Sequence, residues 1–524
     1  MTPPRSPWSP STGALQAGWL ASQLPAWARF VRATHDVRRV QHDRLRALLR
    51  VATPSAYGRA VGLDRIDGPE GLRRMPIVDH DALRPWIDRV ADGEPDVFTS
   101  EPVEMLERTG GSSGAEKLVP YTARLRAEFA EAVGVWMVDL HHRVPTLVGR
   151  KSYWSVSRAV RRAERTPGGL RVGFDVDAEY FGPLARWAIA RMMAVPGAVA
   201  QSPDIEAWRH ATAGHLLEAE DLGFVSVWSP TFLTRLLAWM GEHRGEIQAS
   251  ARARDRLARA WTGTCLHGPT LWPALRVISA WGDGFAAAQV GPMRVPFPGV
   301  AFQPKGVLAT EGVVSFPFGD LSRCEADGSV LAATSHVIEL RDLADGRVVW
   351  MDEARVGGRY QPLLTTGNGF VRYALPDELE VVGHLGQVPR VRLRGRLDRG
   401  SDLVGEKLTA AFVAEALARV WAEVGVTPGF AMLVPERVEG LGYTLVVDRA
   451  PRDLATAVDR ALSVGAQYGY ARDLDQLGPV DVRVVPDAWA RWEAALEALR
   501  LTLGDQKPLA LETRPGVVRA LLAR

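Results

Sequence analysis

The stretch Leu106–Thr122, LERTGGSSGAEKLVPYT, places three glycines, two serines and a lysine between two apolar patches. Clusters of Gly and Ser are the ordinary material of loops. The same composition also suits a loop whose backbone N–H groups wrap an anionic phosphate, with hydroxyls and a lysine completing the cradle. Two common nucleotide signatures do not match. In a Walker loop a Gly-Lys pair precedes a Ser or Thr that binds metal, whereas here Glu116-Lys117 precedes Leu118. The glycines are also not spaced GxGxxG, so a Rossmann fingerprint is absent. The rest of the chain has to decide what the loop serves.

Composition narrows the field. A chain of 524 residues suggests about two to four domains. With 47% hydrophobic and 24% charged residues it can bury a large core. A net charge of +2 without a long basic run argues against nucleic acid as the main partner. Its two cysteines, Cys265 and Cys324, form neither a CxxC nor a Cys/His pattern, which suits a reducing, cytoplasmic setting. Ser6–Ala28 carries no charge, but Pro7, Pro10 and Pro25 and interspersed Ser, Thr and Gln break any run able to span a bilayer. It reads as a flexible leader over 1–26 that passes into an amphipathic helix near Ala14.

Periodicity predicts a helix over Trp27–Leu49 and another after Asp79, a candidate N-cap. YTARLRAEFAEAVGVWMVDL, directly after the Gly-rich loop, predicts a long helix. β-rich runs such as SYWSVS, GFVSVWS and LRVISAW then alternate with helical windows, the pattern of an α/β architecture with parallel strands. Trp187, Trp228, Phe232 and Trp239 at helical or near-helical spacing read as core. From Pro298 to Val382 the chain is rich in strands, with a hairpin turn at Ala344–Gly346. VRLRGRLDRGSDLVGEKL is basic, shows no core pattern and reads as an inter-domain connection. Beyond it helices and strands predict a small α+β domain, its first helix stopping at Gly425.

With these elements in order, TGGSSGAEKLVPYT resembles the phosphate-binding loop of adenylate-forming enzymes. More narrowly, it resembles that of the GH3, auxin-responsive type of acyl acid amido synthetases, T-S-G-S/T-S-G-x-x-K-x-x-P. QPKGVLATEGVVSFPF is similar to the second motif of that family, and GRYQPLLTTGNGFVRYALPDELEVVG to the third, which usually ends Y-R-x-G-D. GRLDRGSDLVGEKL is similar to the segment joining its two domains. The resemblance covers about Trp27 to Leu509. It implies an α/β fold with a large N-terminal adenylate-forming domain of mixed sheets and helices over 27–393. A hinge over 394–400 and a small C-terminal α+β mobile domain over 401–524 would follow.

The resemblance also implies an activity: ATP- and Mg²⁺-dependent adenylation of a carboxylic acid and transfer of the acyl group to an amine, an amino acid by preference. Two alternatives stand beside it, a thioester ligase acting on coenzyme A or a carrier protein, and a non-catalytic nucleotide- or acyl-binding descendant. Thr109, Gly111, Ser112, Ser113, Gly114 and Lys117 would hold the phosphates, Thr310 and Tyr373 would face the adenylate, and Glu311 would bind Mg²⁺. Asp377 would accept hydrogen bonds from the ribose hydroxyls. Arg396, Glu406 and Lys507 are candidates for contacts from the mobile domain, Lys507 and Lys117 joining Glu311 as catalytic candidates. Standing alone, a Thr-Glu-Gly is usually a solvated turn and an Asp before a strand usually a cap; their joint order carries the reading. Tyr153, Trp154 and Trp228 are candidates for the lining of the acid pocket.

Three positions depart from the pattern: Gly110 for serine, Ala374 for arginine and Pro376 for glycine. Because proline fixes φ and lacks an N–H, the loop carrying Asp377 is expected to sit differently.

Overall fold

The computed structural model describes residues 10–109, 117–155, 164–173, 183–263, 265–397, 400–401, 403–404, 406, 408–436, 441–473, 476–499, 501 and 508–523. Its first helix, Pro10–Ala33, starts earlier than the sequence suggests and replaces most of the expected leader. One of the polar residues that break its apolar run is itself a docking group. Gln16, 4% exposed, donates through Nε2 to Arg150 O (2.6 Å) and accepts from Gly149 N (2.6 Å). The helix expected over Trp27–Leu49 is two helices, Pro10–Ala33 and Val37–Ala52. A β-turn at Gly386–Gln387 wedges between them. Gln387 N–H donates to Thr34 O (2.6 Å), and Gln387 Oε1 accepts from Val37 N (3.1 Å), capping the second helix. Gly386 has φ +60°, and a Cβ there would stand 2.2 Å from Thr34 O, so this turn needs a glycine.

The Gly-rich stretch is flanked by an antiparallel hairpin, Val103–Thr109 with Lys117–Thr122, in which Thr109 faces Lys117. Thr122 then caps the helix Ala123–Arg143 by accepting from Leu125 N (3.2 Å). A four-stranded, wholly parallel sheet follows, in the order Ala301–Pro304, Val277–Ala280, Leu222–Ser226, Lys151–Trp154. Such sheets are buried on both faces, and here Leu222–Ser226 and Val277–Ala280 are buried throughout. Trp136 in the long helix donates to Gln303 Oε1 (2.9 Å) and ties it to this sheet. Trp187, expected in the core, is 49% exposed, its ring covered by the Arg191 guanidinium 4.0 Å away.

An eight-stranded sheet occupies the middle of the chain. Its order is Ser315–Phe316, Ser329–Leu331, Val388–Arg396, Asp377–Leu385, Arg359–Thr365, Val337–Asp342 and Val348–Trp350, with Tyr373–Ala374 pairing alongside Arg359–Thr365. The Ala344–Gly346 turn joins two of these strands as expected, Gly346 lying at φ +76°. The first six residues of the basic stretch read as a connection, Val391–Arg396, belong to an interior strand, Val388–Arg396. Val388 and Val391 are fully buried, while the intervening arginines reach sideways: Arg390 to Phe318 O (3.1 Å), Arg392 to Glu325 O (2.7 Å), Arg394 to Glu415 Oε1 (2.9 Å). Charge hid a strand whose backbone is paired on both sides. Arg394–Arg396 of the expected hinge belong to it, and Asp398 and Arg399 lie outside the described residues.

The C-terminal part has a sheet of Ala431–Val434, Thr444–Val447 and Asp481–Val484 under helices that include Ala410–Val424 and Ala488–Ala498. Gly425 stops the first of these at φ +68°. Its apolar clusters, around Leu433 and Leu445 and around Met432 and Trp492, are its own. Ion pairs link it to the preceding part of the chain, Glu415 with Arg394 (2.9 Å) and Arg359 (3.4 Å) on the eight-stranded sheet and Glu493 with Arg235 (3.0 Å) on the helix Pro230–Glu242. Among the described residues no helix is long and apolar enough to cross a membrane. Cys265 and Cys324 are both free thiols.

Candidate active site

The second sequence motif folds into a tight hairpin. Leu308–Ala309 pairs with Gly312–Val313, so Thr310 and Glu311 form its two-residue turn. Tyr121, on the strand that Lys117 opens, donates its hydroxyl to Thr310 O (2.5 Å). This bond holds the 310–311 turn against the returning strand of the Gly-rich hairpin. Lys117 is half-buried at the strand's start. It stands near His80, whose pKa is lowered by burial, against the opposing effect of the Leu118 carbonyl and with a further contribution from the Lys117 charge.

Glu311 is 6% exposed and accepts from the Tyr373 hydroxyl at 3.0 Å. Burial raises its pKa above the ordinary carboxylate value; its own N–H, the Tyr373 hydroxyl and the Arg396 charge oppose this, and Asp377 adds to it. Tyr373 stacks on Phe370 (5.2 Å between centroids) and is itself raised by burial and by the Glu311 charge. Asp377, 6% exposed, begins the next strand and faces Arg396 across the ladder. Pro376 precedes that strand, where its missing N–H costs no ladder bond, and its carbonyl accepts from Leu397 N (2.6 Å).

Thr310, Glu311, Tyr373, Asp377 and Arg396 thus converge from three separate segments, with Lys117 reached through Tyr121. Gly110, Gly111, Ser112, Ser113, Gly114 and Lys507 lie outside the described residues, and Thr109 is described only by its backbone pairing with Lys117. Glu406 belongs elsewhere. It is buried inside the C-terminal part, accepting from Leu403 N and Val404 N (both 2.8 Å) and from the Tyr443 hydroxyl. Tyr153, expected to line a pocket, is a fully buried core residue, because its side of the strand faces the helices over the parallel sheet.

Beside the cluster, a cavity opens at the carboxyl ends of three adjacent parallel strands, where ligands of open α/β sheets bind. Lys305, Trp281 and Asp283 line it, with Arg396 on one side and Ala410 and Pro508 of the C-terminal part on the other. Lys305 is 6% exposed and its ammonium lies 4.3 Å over Trp228, which packs on Trp281 at 5.7 Å. Asp283 Oδ2 accepts from Leu393 N (3.2 Å), joining the parallel sheet to the strand that carries Arg396. The sequence reading missed Lys305, Trp281 and Asp283. The Lys-Gly pair ahead of ATEG was the one local signal; the other two are brought in by topology.

Tyr373→Phe keeps the stack on Phe370 but removes a donor to a buried carboxyl. It is expected to lower the unfolding free energy by about 1–3 kcal/mol in urea titrations.

The GH3 family N-terminal domain model matches residues 26–254 and the GH3 family central domain model matches residues 331–396, together more than half of the chain. A probable indole-3-acetic acid-amido synthetase, GH3.12 of Oryza sativa subsp. japonica, is 24% identical over 442 residues, covering 71% of this chain and 70% of the relative. Indole-3-acetic acid-amido synthetase GH3.15 of Arabidopsis thaliana is 20% identical over 410 residues, with 69% and 68% covered. The solved structure of AtGH3.15 acyl acid amido synthetase in complex with 2,4-DB superposes with a TM-score of 0.85 at 17% identity, over 96% of both chains. The two share the fold.

Proposed function

The chain belongs to the GH3 family, and on that premise we propose that it is an AMP-forming acyl acid amido synthetase. It adenylates a carboxylic acid with ATP and transfers the acyl group to an amine, with an amino acid as acceptor. The observation that carries the reading is the convergence of Glu311, Tyr373, Asp377 and Arg396 beside the hairpin of the Gly-rich loop. The curated relatives, named amido synthetases, support the acceptor class.

In the first step a carboxylate oxygen attacks the α-phosphorus of ATP and pyrophosphate leaves. Positioning and charge neutralisation supply most of the catalysis in such a displacement. Lys117 and the loop it follows hold the departing phosphates, Asp377 accepts from the ribose hydroxyls, and Arg396 lies beside the adenylate. In the second step the amine attacks the acyl carbon, AMP leaves, and the nitrogen loses a proton. Glu311 fits a hard divalent cation: it is a buried carboxylate with Asp377 as a neighbour. Mg²⁺ is such an ion: it takes one or two carboxylates and completes its shell with phosphate and water. When bound it would neutralise charge on the phosphates as pyrophosphate departs. The C-terminal part, 401–524, is assigned as a mobile domain closing the cavity between the steps. Its separate cores and its ionic links to the body support this.

Lys117→Ala is expected to lower kcat/KM for ATP by roughly 10²-fold without changing the order in which carboxylic acids are preferred; competition between acids at fixed ATP checks the second half. The class of reaction is tested by pyrophosphate release across a panel of carboxylic acids, followed by product analysis with amino acids, hydroxylamine or coenzyme A. Amide with amino acids and no thioester supports the reading; thioester alone overturns it.

A further inference from the structure

Behind the Glu311 turn lies a buried polar pair that the reaction itself does not use. His336 has no exposed surface and Glu128 is 1% exposed. Val313 N–H donates to His336 Nε2 at 3.0 Å. Nε2 is therefore an acceptor, so the ring proton sits on Nδ1, which donates to Glu128 Oε2 at 2.9 Å. The same Glu128 oxygen accepts from Gly367 N at 2.9 Å. Gly367 begins the short turn that leads to Phe370, on which Tyr373 stacks. Thr122 Oγ1 in turn donates to Gly367 O (3.0 Å). Arg44 lies 3.9 Å from the other Glu128 oxygen.

One carboxylate thus anchors both halves of the Glu311–Tyr373 contact. Through His336 it holds the strand that leaves the Glu311 turn, and through Gly367 it holds the turn that supports Tyr373. The imidazole approaches so closely that a Cβ on Gly312 would lie 3.0 Å from His336 Nε2 and 3.1 Å from Leu364 Cδ1. A larger residue after Glu311 would press on this imidazole.

We propose that His336 and Glu128 are positioning residues for adenylation, fixing the Glu311 turn relative to Tyr373 through the hydrogen bond from Val313 N–H to His336 Nε2. The inference rests on the adenylation reading for its kinetic arm and on ligand-free geometry for its other arm. Outer partners of this kind, when removed, commonly cost 10- to 100-fold in activity.

Three variants separate positioning from general stability. His336→Gln places an amide oxygen near the Nε2 position and keeps an acceptor for Val313. His336→Asn reaches only the Nδ1 position and leaves Val313 N–H unpaired. His336→Leu removes both contacts. Hydrogen exchange of the ligand-free protein, read on the peptide containing Val313, is expected to accelerate in His336→Leu and His336→Asn and to stay close to wild type in His336→Gln. Pyrophosphate-release kcat should fall by about 10- to 100-fold in His336→Leu and His336→Asn, with KM for the acid unchanged, and recover in part in His336→Gln, which restores the acceptor for Val313 but not the donor to Glu128. If His336→Leu does not fold, the Asn and Gln pair decides. Asn and Gln variants with equal exchange at Val313 and equal kcat overturn the inference, as does a loss in which KM for the acid moves instead of kcat. A wild-type protein that fails to adenylate overturns the functional reading alone, because the exchange comparison still reports on the hydrogen bond.

Discussion

Glu311→Gln is expected to reduce ATP–pyrophosphate exchange by about 10³-fold, a loss of roughly 4 kcal/mol of transition-state stabilisation. The same variant should melt at or above the wild-type temperature at neutral pH. Both halves follow from one geometry. Glu311 is buried, meets one hydroxyl donor, and has its pKa raised by burial. A carboxyl whose pKa is raised on folding costs no stability below its unfolded value; the cost accumulates as pH rises towards its folded value and stays constant above it. Glutamine accepts the same hydrogen bond from Tyr373 without that cost. The thermal advantage of the variant should therefore be largest at neutral pH and shrink as pH falls into the ordinary carboxylate range. Scanning calorimetry across pH checks the sign. A variant that is equally inactive but markedly less stable at neutral pH would show Glu311 to be a structural residue.

Arg372→Met should be among the most damaging single changes to the fold, lowering the unfolding free energy by about 3–5 kcal/mol. Arg372 is 3% exposed and grips Glu339, itself 1% exposed, through Nε (2.9 Å) and Nη2 (3.1 Å). Its third nitrogen, Nη1, donates to Arg73 O (3.0 Å) and Met75 O (2.6 Å). Its backbone stands at φ +54°, with the N–H held by Thr365 Oγ1 (3.0 Å). Methionine fills most of the volume but leaves a buried carboxylate and two carbonyls unpaired. Burial raises the Glu339 pKa, and the Arg372 charge and hydrogen bond are the main opposition to it, so removing Arg372 leaves only the weaker effect of Arg73 against the burial cost. Adding Glu339→Leu should recover part of the loss, since a buried pair replaced by apolar groups is often near neutral. Urea unfolding of the two single variants and the double variant reads the coupling directly. The effect reaches the site because Arg372 immediately precedes Tyr373.

Much of the architecture was legible because local signals agreed with the tertiary outcome. The strands Leu222–Ser226 and Val277–Ala280 are mainly apolar and buried throughout, and the Asp79 cap and the Gly425 stop follow ordinary helix-end chemistry. What was hidden is instructive. Val391–Arg396 read as the start of a linker because its arginines outnumber its apolar residues, yet Arg392 and Arg394 reach a neighbouring carbonyl and carboxylate while the backbone pairs on both sides. The sequence places the start of Pro10–Ala33 too late, near Ala14 within an expected leader, because nothing local shows that Thr12 and Gln16 face the body of the protein. In the candidate site, Glu311, Tyr373 and Asp377 came from ordered motifs. Lys305, Trp281 and Asp283, and the pair His336–Glu128, carry no short-range pattern. They meet only once parallel strand ends and distant turns are assembled.

The central claim is that a carboxylate is activated by attack on the α-phosphorus of ATP and then passed to an amine. Oxygen transfer tests it most directly. An acid accepted by the protein is prepared with both carboxylate oxygens replaced by ¹⁸O and incubated with ATP, Mg²⁺ and an amino acid, and the nucleotide product is weighed by mass spectrometry. The account predicts AMP carrying one heavy oxygen, with the other retained in the amide carbonyl. Formation of the amide with unlabelled AMP, or with ADP in place of AMP, would contradict it.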